Sequence, residues 1–330
     1  MYTLHGALAS PYSMKMRAIL RYRRIAHIWS HGESTRHATA NVKAPVIPVL
    51  EFPDGTFAND STPLIYLLED RHSERSIIPD DPAHAFLAHL IEDFADEWLT
   101  KAMFGYRWLE EIDQEQMSRW LAFDQFKGGG LDRLEDYAST FKDRQVGRMA
   151  LVGCTQENFA LIGSSTARIL KALEAYVVDN HWFFGSRPSL AEFGVFGQLS
   201  QLGVDPTAQN MMRTDFPYAY RWLLHVDDAS GLVGSWAKSS SELSAVVKVF
   251  LSEIGRVYSP FLLANEAAAI AERSTFRFEV DGLPYEQGTF KYQVKCLADL
   301  RSRFAALPEP VKAGLGPVLE EAGLLRMLAV

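Results

Sequence analysis

The residues of this chain best suited to chemistry are Ser10-Pro11-Tyr12-Ser13, which follow a strand-like run (Met1 to His5) and the loop Gly6-Ala7-Leu8-Ala9. Ser before Pro reads as a helix N-cap followed by the first helical residue, where the N–H that Pro lacks has no partner to lose. A helix is expected from there to about Arg24. Its N-terminus presents unpaired N–H groups and a partial positive charge, so an anion or thiolate beside Ser10 would be stabilised. Taken alone, Ser10 is only a cap.

Two further stretches change that. One is Lys43-Ala44-Pro45-Val46-Ile47-Pro48-Val49-Leu50, and the other is Asp60-Ser61-Thr62-Pro63-Leu64-Ile65. Between them Asp54-Gly55 is a two-residue hairpin signal, joining a strand over Pro45 to Phe52 with Thr56-Phe57-Ala58. With a second strand at Ala26 to Ser30, a loop or short helix over Glu33 to Asn41 and a helix from Asp60 to about Asp70, the order is βαβαββα. This is the thioredoxin-like pattern. The three motifs, in this order, resemble the N-terminal domain of the cytosolic glutathione transferase superfamily.

The resemblance implies a glutathione site. Ser10 would donate its hydroxyl to the thiolate, as in the Ser-Pro-Phe/Tyr members of plant and bacterial type, with Ser13 and Tyr12 as rival hydroxyls and Tyr2 a weaker one. Ile47-Pro48 would carry a cis bond and offer the Ile47 backbone to the cysteinyl part. Asp60 and Ser61 would hold the γ-glutamyl end, although the family's usual Glu is Asp60 here. Lys43 would reach for the glycyl carboxylate, although the Lys commonly found just before the Ile-Pro pair is Val46 here. Ser10-Pro11-Tyr12-Ser13 also overlays the Cys-Pro-Tyr-Cys of glutaredoxins with both sulfurs replaced by oxygen. A hydroxyl forms no mixed disulfide, so thiol–disulfide exchange is disfavoured.

Beyond Arg71 to Pro82 the pattern turns helical. Phe86, Leu87, Leu90, Ile91, Phe94, Trp98 and Leu99 recur at helical spacing toward Trp108. His89, Asp93, Asp96, Glu97, Lys101, Tyr106 and Arg107 share that helix. They read as a solvated face or as interdomain hydrogen bonds rather than a metal site, because no His-Glu-x-x-His or Glu-x-x-His pair is present. Further helices are expected over Asp113 to Phe126, ended by Gly128-Gly129-Gly130, and over Leu131 to Arg148 and Glu157 to Val178. The triple glycine is a helix break, since no Lys-Ser/Thr follows it. Ser189-x-x-Glu192 is a capping box, matching the one in the family's helical domain after a phrase like Phe184-Gly185-Ser186-Arg187-Pro188. In the last hundred residues a helix over Ser241 to Ile270 precedes a hairpin turning at Asp281-Gly282 and a helix marked by Val294, Leu297, Leu300 and Phe304.

The fold expected is thus an α/β thioredoxin-like domain (1–75), an all-α glutathione-transferase domain (83–235) and a helix/β-hairpin extension (236–330) that wraps the helical domain and roofs the substrate pocket. The chain has 330 residues, 48% of them hydrophobic, and a net charge of −8 with both signs spread along it. That balance argues against nucleic-acid and anionic-membrane partners. No apolar run reaches the roughly 18 residues that span a bilayer, and the start lacks a signal-peptide pattern, so a cytoplasmic location is expected. Cys154 and Cys296 form neither a disulfide framework nor a metal-spaced pair.

The function expected is a glutathione transferase acting on a small, hydrophobic electrophile, in conjugation, isomerisation, dehalogenation or peroxide reduction. Glutathione is the co-substrate and no metal is needed. The resemblance adds a homodimer and a role in detoxification. The rival is a non-catalytic scaffold of the same fold. A serine hydrolase lacks a Gly-x-Ser-x-Gly elbow.

Overall fold

The computed structural model describes residues 1–126, 129–238 and 242–329. Gly128 and Ser241, where a helix break and a helix start are expected, lie outside these. The N-terminal part is a four-stranded sheet in the order β2-β1-β3-β4. Its strands are β1 (Tyr2–Gly6), β2 (His27–His31), β3 (Val49–Glu51) and β4 (Phe57–Asn59), with helices α1 (Pro11–Tyr22), α2 (Thr35–Ala40) and α3 (Ser61–Arg71). β1 runs parallel to β2 and antiparallel to β3, with Leu4 opposite Leu50. This is the thioredoxin-like arrangement. β3 is shorter than the expected Pro45 to Phe52 because residues 43–48 form a bend and not a ladder.

Helices follow. α4 (Pro82–Phe94) and α5 (Thr100–Trp108) are joined by a π-helical turn (Ala95–Leu99). α6 (Glu111–Phe126) and α7 (Leu131–Val146) form a hairpin, then come α8 (Gln156–Tyr176), α9 (Leu190–Leu202), α10 (Pro206–Asp215) and α11 (Pro217–Asp227). The capping box forms at α9: Glu192 accepts from Ser189, and its carboxyl is raised to about 7 by burial, against the hydrogen bonds it receives. α9 is buried along almost its whole length and packs on α1, where Tyr22 and Phe193 meet at 5.7 Å. Gly197 permits this approach, since a Cβ there would meet the Pro11 carbonyl oxygen at 2.9 Å. The start of α1 is therefore seated directly on the helical part.

The tail contains α12 (Ala245–Glu253), a second π-turn (Ile254–Tyr258), α13 (Ser259–Ile270), strands β5 (Thr275–Val280) and β6 (Leu283–Gly288), α14 (Lys291–Ala305), α15 (Glu309–Glu321) and α16 (Leu325–Leu328). The hairpin turns at Asp281 and Gly282, both at positive φ (53° and 78°), as a type I′ turn requires. It is not left alone: Tyr285 is fully buried, 5.5 Å from Trp98, and the Asn158 side chain donates to the Glu286 carbonyl at 2.7 Å. No helix among the described residues is long and apolar enough to cross a membrane.

Candidate functional site

Ser10 caps α1 with extended backbone (φ −100°, ψ 116°), and its Oγ accepts from the Ser13 N–H at 3.3 Å. The hydroxyl proton of Ser10 is not consumed by this bond, because capping uses a lone pair. The loop before it is fastened from the helical side. Arg107, on the last turn of α5, donates to the Ala9 carbonyl at 2.8 Å, to Asp205 at 2.9 Å and to Gln201 at 3.0 Å, while Gln201 donates to the Leu8 carbonyl at 3.2 Å. Burial pushes the Asp205 carboxyl up to about 6 and Arg107 limits the rise. Sequence reasoning placed Arg107 on the right helix but missed Gln201 and Asp205. Asp205 precedes Pro206 and reads as an N-cap, yet its side chain makes no capping bond and is spent on Arg107.

Ser10 opens onto a cavity of about 360 Å³. Ser10, Tyr12 and Thr100 line it beside Ile47, and His31, Arg107, Asp124, Gln125 and Gln145 add further polar groups. Its apolar wall is Met103, Phe104 and Trp108 from α5 and Leu121, Tyr137 and Phe141 from α6 and α7. The sequence predicts the helices of all three segments, but not that α6 and α7 share this wall with α5. The expected roof is a correction: among the described residues no residue lining this cavity lies beyond Gln145, and the tail packs instead against α4 and α8. A larger hollow of about 800 Å³, walled by Trp120, Phe123 and Leu131, lies on another face of the α6–α7 hairpin and contains none of Ser10, Ile47 or Asp60.

The other hydroxyls sit differently. Tyr12 donates to the Asp96 carbonyl at 2.9 Å, and burial, aided by Glu97 and Asp96, raises its pKa far above the ordinary phenol range. Ser13 is fully buried against Gly6, its Oγ without a partner among the described residues, and does not line the cavity. Tyr2 bonds His72 at 3.0 Å.

Ile47–Pro48 is a cis peptide. The ladder sets Val49 opposite Asn59, which puts Pro48 and Asp60 side by side at one end of the sheet. Asn59 Nδ2 donates to the Ala44 carbonyl at 2.6 Å, holding the preceding bend. Ser61 is buried at the first position of α3, while Asp60 stands before it, exposed, with φ 76°. Lys43 is exposed in the bend. The structure thus brings Ser10, Tyr12 and Ile47 to one cavity and Pro48, Asp60 and Ser61 to the adjoining sheet end. It leaves Lys43 on the rim and Ser13 behind.

The acidic residues of α4 and of the π-turn after it are no solvated face, which corrects that alternative. Lys15 of α1 is fully buried, 2.7 Å from Glu92 and in contact with Asp96. Asp93 accepts from the Tyr258 hydroxyl at 2.6 Å, and Glu97 from Gln293 at 3.2 Å. Burial works to raise Glu92, but Lys15 overcomes it and holds Glu92 ionised below its usual range. Burial raises Asp96 to about 8 against the pull of the same Lys15, so one buried cation serves both carboxyls. These groups tie α1 and the tail to α4 and its π-turn by side-chain bonds. Burial also pushes the Cys154 thiol up to about 12, and both cysteines are free. Among the described residues no group of three or more His, Cys, Asp or Glu is placed to hold a metal ion.

Residues 4–76 match the family of the glutathione S-transferase N-terminal domain. Similar solved structures include a glutathione S-transferase from Methylobacterium radiotolerans in complex with glutathione sulfonate, 18% identical, covering 74% of this chain and 99% of that one with a TM-score of 0.41. Another, from Rhodospirillum rubrum, is 16% identical over 75% of this chain and 98% of its own, with a TM-score of 0.44. A third, from Methylobacillus flagellatus with glutathione bound, is 16% identical over 71% and 100%, with a TM-score of 0.39. No curated protein matches the chain.

Proposed function

We propose that this chain, whose residues 4–76 belong to the glutathione S-transferase N-terminal domain family, binds glutathione and delivers its thiolate to a small apolar electrophile. The observation that carries the reading is the place of Ser10: N-cap of α1, donor proton uncommitted, on the wall of the same cavity as Ile47. The thiol loses its proton to solvent. The thiolate accepts the Ser10 O–H and lies against the positive end of α1, which lowers its pKa. It then attacks the electrophile held against Phe104, Trp108, Tyr137 and Phe141. An S–C bond forms as the leaving group departs or the acceptor takes up a proton. Ile47 offers backbone groups to the cysteinyl part, and Ser61 and Asp60 take the γ-glutamyl carboxylate and ammonium. Lys43 is assigned to the glycyl carboxylate; Ser13 and Tyr12 are the rival hydroxyls.

Within this reading residues 1–75 are the glutathione domain, 83–235 the helical domain and 236–330 an extension. The chain is a cytoplasmic homodimer that removes reactive electrophiles, independent of metal, nucleic acid or membrane. The tail lies over α3 and α4, with Phe304 5.4 Å from Phe86 and Arg303 over the Tyr66 ring at 4.4 Å, so pairing of two copies would use a face enlarged by the tail. Sedimentation checks this.

The test is calorimetric titration with glutathione and S-methylglutathione, beside turnover of an electrophile panel by wild type and Ser10→Ala. Both ligands should bind. A hydrogen bond to an ionised group contributes about 1.5–3 kcal/mol, so Ser10→Ala should lose about ten- to a hundredfold in kcat with binding retained. The lost cap should cost about 1 kcal/mol of stability. Binding without turnover in either form favours the scaffold, and absence of binding at millimolar ligand removes the glutathione reading.

A further inference from the structure

The tail reaches the start of α3 at the first turn of α14. Asn265 fixes the entry to α14 by a reciprocal pair of bonds with Phe290, its amide donating to the carbonyl at 3.0 Å and its oxygen accepting the N–H at 2.9 Å. His89 pairs with Asp299 at 3.0 Å farther along α14. Between these anchors the first turn of α14 presents Tyr292 and Gln293. Tyr292, 41% exposed, donates its hydroxyl to Asp60 Oδ2 at 3.0 Å across 232 residues of sequence. Gln293, 4% exposed, donates to Glu97 Oε2 at 3.2 Å.

Asp60 occupies an N-cap position but does not cap. Its backbone lies in the left-handed region, and its carboxylate makes no bond to α3. That carboxylate is therefore free to hold something outside its own helix, and Tyr292 engages only one of its two oxygens. Burial raises the Glu97 carboxyl, and the nearby Asp60 carboxylate adds to that rise. Gln293 Oε1, buried beside this pair, has no donor among the described residues. The junction of α3, the first π-turn and α14 is thus rich in acceptors and short of donors, next to the Ser61 helix start, which suits a carboxylate. An α-amino acid carries both groups.

We propose that the first turn of α14 completes the amino-acid end of the ligand site within the same chain, Tyr292 positioning Asp60 and Gln293 positioning Glu97 as acceptors for the α-ammonium of the γ-glutamyl group. The inference rests on the glutathione reading above and assigns to the tail a part in choosing the thiol. Tyr292 and Gln293 are positioning residues, acting through the two carboxylates.

The experiment compares two ligands by calorimetry: glutathione, and glutaryl-cysteinyl-glycine, which differs only by lacking the α-amino group. Wild type should bind glutathione at least about tenfold more tightly. Tyr292→Phe, which removes one exposed hydroxyl and leaves the ring, should weaken glutathione about three- to tenfold and leave the glutaryl ligand unchanged. In turnover the KM for glutathione should rise with kcat unaltered. Gln293→Met should act the same way. Equal affinity of wild type for the two ligands, or a Tyr292→Phe effect equal on both, overturns the proposal while leaving the glutathione reading intact. Failure of wild type to bind either ligand overturns that reading and this proposal with it.

Discussion

Replacing Arg107 by Met should show how the Ser10 loop is held, with a signature in pH as well as in size. The substitution removes donors from the Ala9 carbonyl and from Gln201, about 1 kcal/mol each. The larger effect lies at Asp205, which is fully buried. Folding raises its pKa from about 3.9 in the unfolded chain to about 6. The folded form thus binds the proton more tightly, and the penalty grows as pH rises from about 4 to about 6, then levels off. Without the guanidinium the folded value moves further up. The penalty then continues through neutrality, adding about 1.4 kcal/mol for each pH unit above 6 until the new value is reached. The variant should be destabilised by about 2 kcal/mol at pH 6 and by about 5 kcal/mol near pH 8. Urea unfolding followed by tryptophan fluorescence at pH 5.5, 6, 7 and 8 measures this, with an unchanged m-value. A destabilisation constant from pH 6 to 8 would refute the reasoning, because it would mean that Asp205 does not depend on Arg107 for its ionisation.

Lys15→Met should cost about 3–5 kcal/mol at pH 7, since it strands Glu92 and Asp96 without their buried cation. Lys15 holds Glu92 below its ordinary range, so its contribution is present above about pH 4 and lost on further acidification; the gap between the melting curves should narrow there. Gly153 has φ 72°, and a Cβ on it would meet the Tyr285 hydroxyl at 2.2 Å. Gly153→Ala should therefore lose about 2–4 kcal/mol in calorimetric unfolding and open β5–β6 to limited proteolysis.

Local chemistry was legible in the sequence. The Ser10 cap before Pro11, the turn at Asp281-Gly282 and the Ser189–Glu192 box each depend on residues within a few positions of one another, and each takes the form that its residue types dictate. The Ile47–Pro48 bend was legible only through the family motif, since no local rule selects its geometry. The remainder turns on pairs far apart. Arg107 and Asp205 lie 98 residues from each other, and Tyr292 and Asp60 lie 232. Helical spacing marked residues 86–99 as apolar on one side but could not reveal that the opposite, charged side is also covered, by Lys15 from α1, by Tyr258 of the second π-turn and by Gln293 of α14. A face enclosed by two distant segments carries the same periodicity as a face in water.

The π-turn at Ala95–Leu99 determines more than a local irregularity. A π-turn spends one residue more than an α-helix on the same backbone circuit, and each residue rotates the helix by about 100°. α4 and α5 are therefore two halves of one rod held out of phase. Delete a single residue there and α4 could stay seated on the core while Thr100, Phe104 and Arg107 swung about 100° away from the cavity and from Asp205. The second slip, at Ile254–Tyr258, lies against the first half, with the Tyr258 ring 5.7 Å from Phe94. The outline of the cavity wall is thus encoded as an angular offset. Evolution would redraw it most abruptly by insertion or deletion of one residue and only gradually by substitution.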